Sequence, residues 1–382
     1  MDLTLKRLEA NRLRLEESIQ KSHIHLFKLP VIMSPDPAAN SGAIQLKQGT
    51  PLHYFYRQFT VTPAPVKDVS LEGKTAIVTG SNTGIGLATS RQLLQLGLSQ
   101  LILAVRNEEK GKTAAAKLTT DLNLKPETVQ VWRLDLSSYD SVAAFADRAK
   151  SDLDRLDIVV LNAGMWSPLA RVFNSQTGHE EDIQVNYLST ALLMILLLPI
   201  AKTKRANQPQ PTHITLVSSE VAAFTNFKER NQVPLLAGLD APGKVDPLDR
   251  MFISKLLGQI FLSKLCEVVP ASVALINCAS PGAVHDTEFT REVDHTFSGA
   301  LLKMIQRHVA NNSDVGARVI SDAVVSRGEE THGQFLSFQM IISMAPMIYT
   351  EEGQRIKEQL WKETMAEFSF VNAEQTLKDL VQ

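Results

Sequence analysis

Cysteine is nearly missing from this chain: Cys266 and Cys278 are the only two in 382 residues, with no metal-ligand spacing and no histidine cluster nearby. That excludes a disulfide framework or zinc site as the organising device and leads us to expect no metal and a reducing, cytoplasmic setting. Long apolar runs are lacking too. The longest, Ala191 to Ala201, has 11 residues and contains Pro199. A bilayer core needs about 20, so no transmembrane segment is expected and the run reads as a buried helix. Net charge is only −2, which gives no electrostatic footprint for nucleic acid. The N-terminus has no apolar stretch of the secretory kind, and Glu9, Glu16 and Glu17 argue against a transit peptide. Internal repeats and low-complexity tracts are also missing.

What is present is ordinary globular composition, 44% hydrophobic and 21% charged. The length suits one large α/β domain plus an extension. Leu5, Leu8, Leu15 and Ile19 recur near helical spacing, which suggests a short amphipathic helix over residues 3–19. It reads as a solvated extension or as a partner- or membrane-surface helix. Residues 30–66 hold six prolines and read as an irregular lead-in that wraps the domain. The boundary falls near Val69, which makes residues 1–68 a partly helical, irregular extension and residues 69–382 the main domain.

Beyond that boundary, strand-like and helix-like stretches alternate, the pattern of a doubly wound parallel sheet with helices on both faces. Seven strands are expected: Thr75–Thr79, Leu101–Val105, Val129–Leu134, Ile158–Asn162, His213–Ser218, Val273–Asn277 and Phe335–Phe338. Each is apolar or β-branched enough to be buried on both sides.

Directly after the first strand stands T-G-S-N-T-G-I-G, Thr79 to Gly86, followed by an apolar-periodic helix. Glycines there let the backbone turn and approach a pyrophosphate, which then meets the free N–H groups of the helix start. Dinucleotide folds usually place an acid about 20 residues further on, to bind the ribose 2′-hydroxyl. Arg106 occupies that region. A guanidinium would pair with a 2′-phosphate, so the position favours NADP over NAD; a surface arginine at a strand end is the other reading.

With these residues in view, the chain resembles the short-chain dehydrogenase/reductase family over roughly residues 53–368. Further motifs follow in that family's order: D-L at Asp135 and Leu136, N-A-G at Asn162, Ala163 and Gly164, V-N at Val185 and Asn186, V-S-S ending at Ser219, S-K at Ser254 and Lys255, and P-G at Pro281 and Gly282 with Thr287 beyond. V-N-Y-L-S-T and E-E-G-Q-R-I-K-E-Q-L-W resemble fungal members linked to secondary metabolism. The resemblance implies a cofactor site at Gly80, Ser81, Asn82, Gly84, Ile85, Gly86, Arg106, Asp135, Leu136, Asn162, Ala163, Gly164, Lys255, Pro281, Gly282 and Thr287.

By the same resemblance Ser219 hydrogen-bonds the substrate oxygen, Asn186 holds a relay water, and Lys255 binds the nicotinamide ribose and lowers the pKa of a tyrosine four residues earlier. That position holds Met251, and a thioether has no proton to give. The five tyrosines, Tyr54, Tyr56, Tyr139, Tyr187 and Tyr349, include none with a lysine four residues later. General acid help is worth ~10²–10⁴ in rate, so its loss impairs a reductase without abolishing hydride transfer. Three readings follow: an oxidoreductase with a substitute acid such as a bound water, His285 or Tyr349; a non-redox isomerase, cyclase or lyase; or a catalytically impaired binding protein. His179, Glu180 and Glu181 read as a helix start.

Between Ser219 and Met251 lie 31 residues that, with the segment after Pro281, are expected to cover the substrate. Val284 to Met304 with Met340, Met344 and Met347 suggest an adaptable apolar wall and a hydrophobic, terpenoid or polyketide substrate; core filling is the plainer role for the methionines. Homo-oligomerisation through the helices near Asn186 and Met251 is implied by the family.

Overall fold

The computed structural model describes residues 51–288 and 309–381. The helix expected at residues 3–19 and most of the expected wall from Val284 to Met304 lie outside them.

Strands β1 (Thr75–Thr79), β2 (Gln100–Val105), β3 (Val129–Arg133), β4 (Ile158–Leu161), β5 (Thr212–Val217), β6 (Ala274–Ser280) and β7 (Phe335–Ser337) match the seven expected, with small shifts at the ends. They pair in parallel, in the order β3-β2-β1-β4-β5-β6-β7. The sheet is eight-stranded rather than seven-stranded, because β8 (Met340–Ile342) adds antiparallel to β7. Its tight turn uses Phe338 and Gln339 at φ 49° and 63°, residues that do not advertise a left-handed turn, and three residues carry little periodicity.

The described helices of eight or more residues are, in chain order, α1 (Pro51–Thr60), α2 (Gly84–Gln95), α3 (Glu108–Asp121), α4 (Tyr139–Asp152), α5 (Ser189–Lys204), α6 (Pro247–Val268), α7 (Ser313–Val325), α8 (Glu351–Glu367) and α9 (Ala373–Leu380). Alternation along each strand sorts them into two layers. Ala76 and Val78 of β1 and Leu101 and Leu103 of β2 pack with Leu93, Leu118 and Ile320 of α2, α3 and α7. Ile77 and Ile102, between them in sequence, face the other way into the core made with Val142, Leu192 and Leu257 of α4, α5 and α6.

One departure from the sequence reading, and one expectation that the structure bears out, bear on the site. Residues 51–60, placed in an irregular lead-in because of the prolines, form α1; proline at the first helical position is compatible with a helix start. The apolar run at Ala191 to Ala201 belongs to a longer helical stretch, Glu181–Asn207, which has the length and composition to cross a membrane and is mostly buried inside the protein.

Strand order reverses between β1 and β4, so the carboxyl ends of those strands open the crevice in which this topology binds its ligand.

Candidate active site

The cofactor side is built around the turn that follows β1. Gly80 and Gly84 sit at φ 62° and 54°, in the left-handed region glycine enters without a Cβ penalty. At Gly86 a Cβ would lie 2.5 Å from both the Gly80 carbonyl oxygen and Asn162 Nδ2, so the space is already taken. Asn162 explains why: its Nδ2 donates to the carbonyls of Thr79 and Gly80 at 2.9 and 3.2 Å. The backbone N–H groups of Asn162 and Ala163 both donate to Thr79 Oγ1 at 2.9 Å. Buried Ser81 donates to the Val78 carbonyl at 2.8 Å. Asn82 and Ile85 flank the glycines, on the loop and at the first turn of α2.

Thr83, the residue that opens α2, makes no side-chain capping bond. The first-turn N–H groups are thus left for an anion such as a pyrophosphate. Arg106 follows β2, exposed and without a hydrogen bond or ion pair among the described residues. Asp135 follows β3; its N–H donates to Ser141 Oγ at 2.9 Å and its Oδ1 accepts from the Ser137 N–H at 3.1 Å. Leu136 beside it is buried. The bare helix start, the crowded glycine turn and the free guanidinium all fit a phosphorylated dinucleotide.

On the other side of the crevice, Asn186 lies in a π-turn, Gln184–Leu188, that leads into α5. Its side chain pairs with the Met165 peptide, Oδ1 accepting from N–H and Nδ2 donating to the carbonyl, each at 2.8 Å. Nδ2 also donates to Ser254 Oγ at 3.0 Å, and Ser254 Oγ donates to the Met251 carbonyl at 2.8 Å. Lys255 donates from Nζ to the Val217 carbonyl at 3.2 Å. A Cβ built on Gly164 would lie 3.1 Å from Asn186 Oδ1 and 3.7 Å from Lys255 Nζ, so the N-A-G segment, Asn186 and Lys255 meet at one point. Burial pushes the Lys255 ammonium down to about 8, because a charge removed from water is disfavoured.

Ser219 ends the β5 segment and starts the 3₁₀ turn Glu220–Phe224, with Oγ accepting from the Val221 N–H at 3.3 Å. Met251 is half-buried on α6, one turn before Lys255. The proposed substitutes for the tyrosine do not join this group. Tyr349, 60% exposed, accepts at its hydroxyl from the Met344 N–H at 3.1 Å. His285 pairs through Nδ1 with Asp286 Oδ2 at 2.5 Å. Neither forms a hydrogen bond or ion pair with Lys255, Asn186 or Ser219. Pro281, Gly282 and Thr287 follow β6, and Thr287 reaches back over the glycine turn: a Cβ at Gly84 would be 3.3 Å from its Cγ2.

Several supporting residues escaped the sequence reading. Gln259, one turn beyond Lys255, donates to Ser218 Oγ at 3.1 Å and to the Ser219 carbonyl at 3.2 Å; its four-residue spacing from Lys255 was the available signal. Arg250, beside Met251 and 1% exposed, pairs with Glu180 at 3.0 Å and Glu229 at 3.1 Å. Glu180 also pairs with Arg171 at 2.7 Å. His179 and Glu180 do precede a short helix, Glu181–Ile183, as expected. His179 has a further role between Asp240 and Glu367: burial opposes its charge, but bonds to those two carboxylates prevail and raise its pKa to about 9. Charged residues spread over separate segments leave no motif.

The methionines form no single wall. Met344 is buried in the core, while Met340 is 42% exposed on edge strand β8. Among the described residues no cluster of histidine, cysteine and acidic side chains could hold a metal ion. A shallow cleft of about 320 Å³, lined by Lys202, Arg205, Pro270 and Leu380, lies at the amino ends of β5 and β6, away from the glycine turn.

Residues 74–228 match the short chain dehydrogenase family. Short chain dehydrogenase/reductase mfmJ of Annulohypoxylon moriforme is 43% identical over 326 residues, which is 84% of this chain and 92% of that protein. This chain belongs to the short-chain dehydrogenase/reductase family. Short-chain dehydrogenase fogG of Aspergillus ruber is 41% identical over 342 residues, 88% of this chain and 97% of its own. Both sources agree with the resemblance to fungal short-chain dehydrogenases. Among solved structures, the RhlG/NADP active-site complex of Pseudomonas aeruginosa aligns with TM-score 0.52 at 22% identity, covering 71% of this chain and 98% of its own. That likeness is one of fold. The family match ends at residue 228, before the helix that carries Met251.

Proposed function

We infer that this short-chain dehydrogenase is an NADP-dependent oxidoreductase that interconverts a ketone and an alcohol on a hydrophobic small molecule in fungal secondary-metabolite biosynthesis. The observation that carries the reading is the meeting of Lys255, Asn186 and Gly164 at the mouth of the glycine turn. Nζ of Lys255 donates to the Val217 carbonyl, which leaves two of its three N–H donors for a further acceptor, and a cofactor ribose would be one. The cofactor residues are those named by the resemblance, from Gly80 to Thr287, held by a domain spanning residues 69–382. When bound, NADPH supplies the hydride. Ser219 would orient the substrate oxygen and Lys255 would hold the ribose with a positive charge beside it, while Asn186 fixes the Met165 peptide.

A second reading is favoured by Met251 alone. With no acid at the tyrosine position, an isomerisation, cyclisation or elimination remains open, in which Ser219 orients a carbonyl and Met251 shapes the cavity. NADPH oxidation over a panel of aryl and polycyclic ketones, with product mass, separates the two. The redox reading expects a two-dalton gain in mass matched to NADPH consumed, and a rise of about 10²-fold or more in Met251→Tyr as general acid catalysis is restored. A product formed with NADPH untouched, of unchanged mass or lighter by an eliminated group, would replace it with the second reading.

A further inference from the structure

Helix α1 precedes every motif of the domain, yet one of its faces reaches both segments that flank the second half of the crevice. Tyr54, Arg57 and Gln58 stand at i, i+3 and i+4, a single helical face, and all three are buried, whereas Phe55, Tyr56 and Phe59 point outward. Gln58 Oε1 accepts from the Ala283 N–H at 2.9 Å, and Nε2 donates to the carbonyls of Ala283 at 3.1 Å and Val309 at 3.2 Å. One carboxamide therefore satisfies both polar groups of one residue, as a neighbouring strand would. The fit depends on glycine next door: Gly282 is at φ 75° and a Cβ there would be 2.8 Å from Gln58 Oε1. Four residues beyond Ala283, Thr287 packs on Gly84 of the cofactor loop.

The second contact is ionic. Arg57 forms a buried ion pair with Glu220, the residue after Ser219. The other carboxylate oxygen of Glu220 accepts from Ser337 Oγ at 2.5 Å. The Arg57 guanidinium lies 5.9 Å from the centre of the Phe338 ring. Tyr54 packs edge-on against Phe224 with ring centres 6.4 Å apart. Buried ion pairs add little net stability because desolvation offsets their attraction, but their directional bonds select one geometry. In a doubly wound sheet the two mononucleotide halves lie on either side of the switch point. The glycine turn, Arg106 and Asp135 belong to the half over β1–β3, while Ser219 and the Pro281–Ala283 turn belong to the half over β4–β6.

We propose that Gln58 and Arg57 are positioning residues for the nicotinamide half of the site, Gln58 holding the Pro281–Ala283 turn and Arg57 holding the Ser219–Glu220 bend through Glu220. This rests on the NADP reading above. Helix α1, though it precedes the domain proposed above, then supports the site through its bonds to Ala283, Val309 and Glu220.

The test uses the full chain and two probes: NADPH, followed by the fluorescence of its own nicotinamide, and 2′,5′-ADP, which carries only the adenine half. Loss of the Gln58 bonds should weaken NADPH about 10-fold and remove its emission change, while 2′,5′-ADP stays within about 2-fold in Gln58→Ala. Arg57→Met should behave in the same way, and Arg57→Lys should retain most of the NADPH signal because the ion pair survives. Gln58→Ala strands no buried charge, so it decides the matter even where Arg57→Met fails to fold. Parallel loss of both probes would mark a merely structural role and overturn the proposal, as would unchanged binding of both. Wild-type protein that binds neither probe overturns the NADP reading and this proposal with it; wild-type binding that Gln58→Ala leaves intact overturns this proposal alone.

Discussion

On the β1–β3 side the site is made of backbone. Gly80 N–H donates to the Ala104 carbonyl at 2.8 Å, Asn162 braces the turn from β4, and Gly86 has no room for a side chain. On the β5–β6 side it is made of side chains from far along the chain: Arg57 meets Glu220 across 163 positions, Gln58 meets Ala283 across 225, and Ser337 meets Glu220 across 117. Arg250 ties Glu180, Glu229 and the Leu239 carbonyl together under the segment expected to cover the substrate. The first side is a local turn held by bonds close to it, which under the NADP reading would meet the nucleotide. The second depends on a network that closes across long stretches of chain.

Breaking the network should have the largest effect. Arg250→Met leaves buried Glu180 and half-buried Glu229 short of a partner, and losing one member of such a set costs ~3–5 kcal/mol; urea unfolding measures this directly. A variant as stable as wild type would show that ion pairs do not hold the substrate side. The backbone side should be less sensitive in stability and more sensitive in binding. Gly86→Ala forces a methyl against the Gly80 carbonyl and Asn162, an overpacking cost of ~1–3 kcal/mol, with NADPH binding lost in a fluorescence titration. Retained binding would mean that the turn is softer than its contacts imply.

The same contrast explains what could be read from the sequence. Seven strands and the glycine turn were legible because short continuous apolar runs and glycine spacing are local signals. Ser219, Asn186 and Lys255 were legible through family order, and the structure brings Asn186 and Lys255 together at Gly164. Strand β8 was hidden by its length and by a turn without glycine. Helix α1 was hidden by prolines that suggested irregular chain, and Gln58, Arg57 and Glu220 carry no motif because their partners are more than a hundred positions away. Met251 was visible at once, since a thioether stands where the family's acid belongs. Among the described residues no acidic side chain forms a hydrogen bond or ion pair with Lys255.

Binding of a 2′-phosphorylated dinucleotide by the glycine turn and Arg106 is read out by a titration of wild type and Arg106→Ala with NADPH and NADH. Charge-assisted bonds worth ~1.5–3 kcal/mol predict a preference for NADPH of roughly 10–100-fold in wild type, collapsing to near parity in the variant. Equal affinity for the two nucleotides in wild type, or binding of neither, would contradict the account.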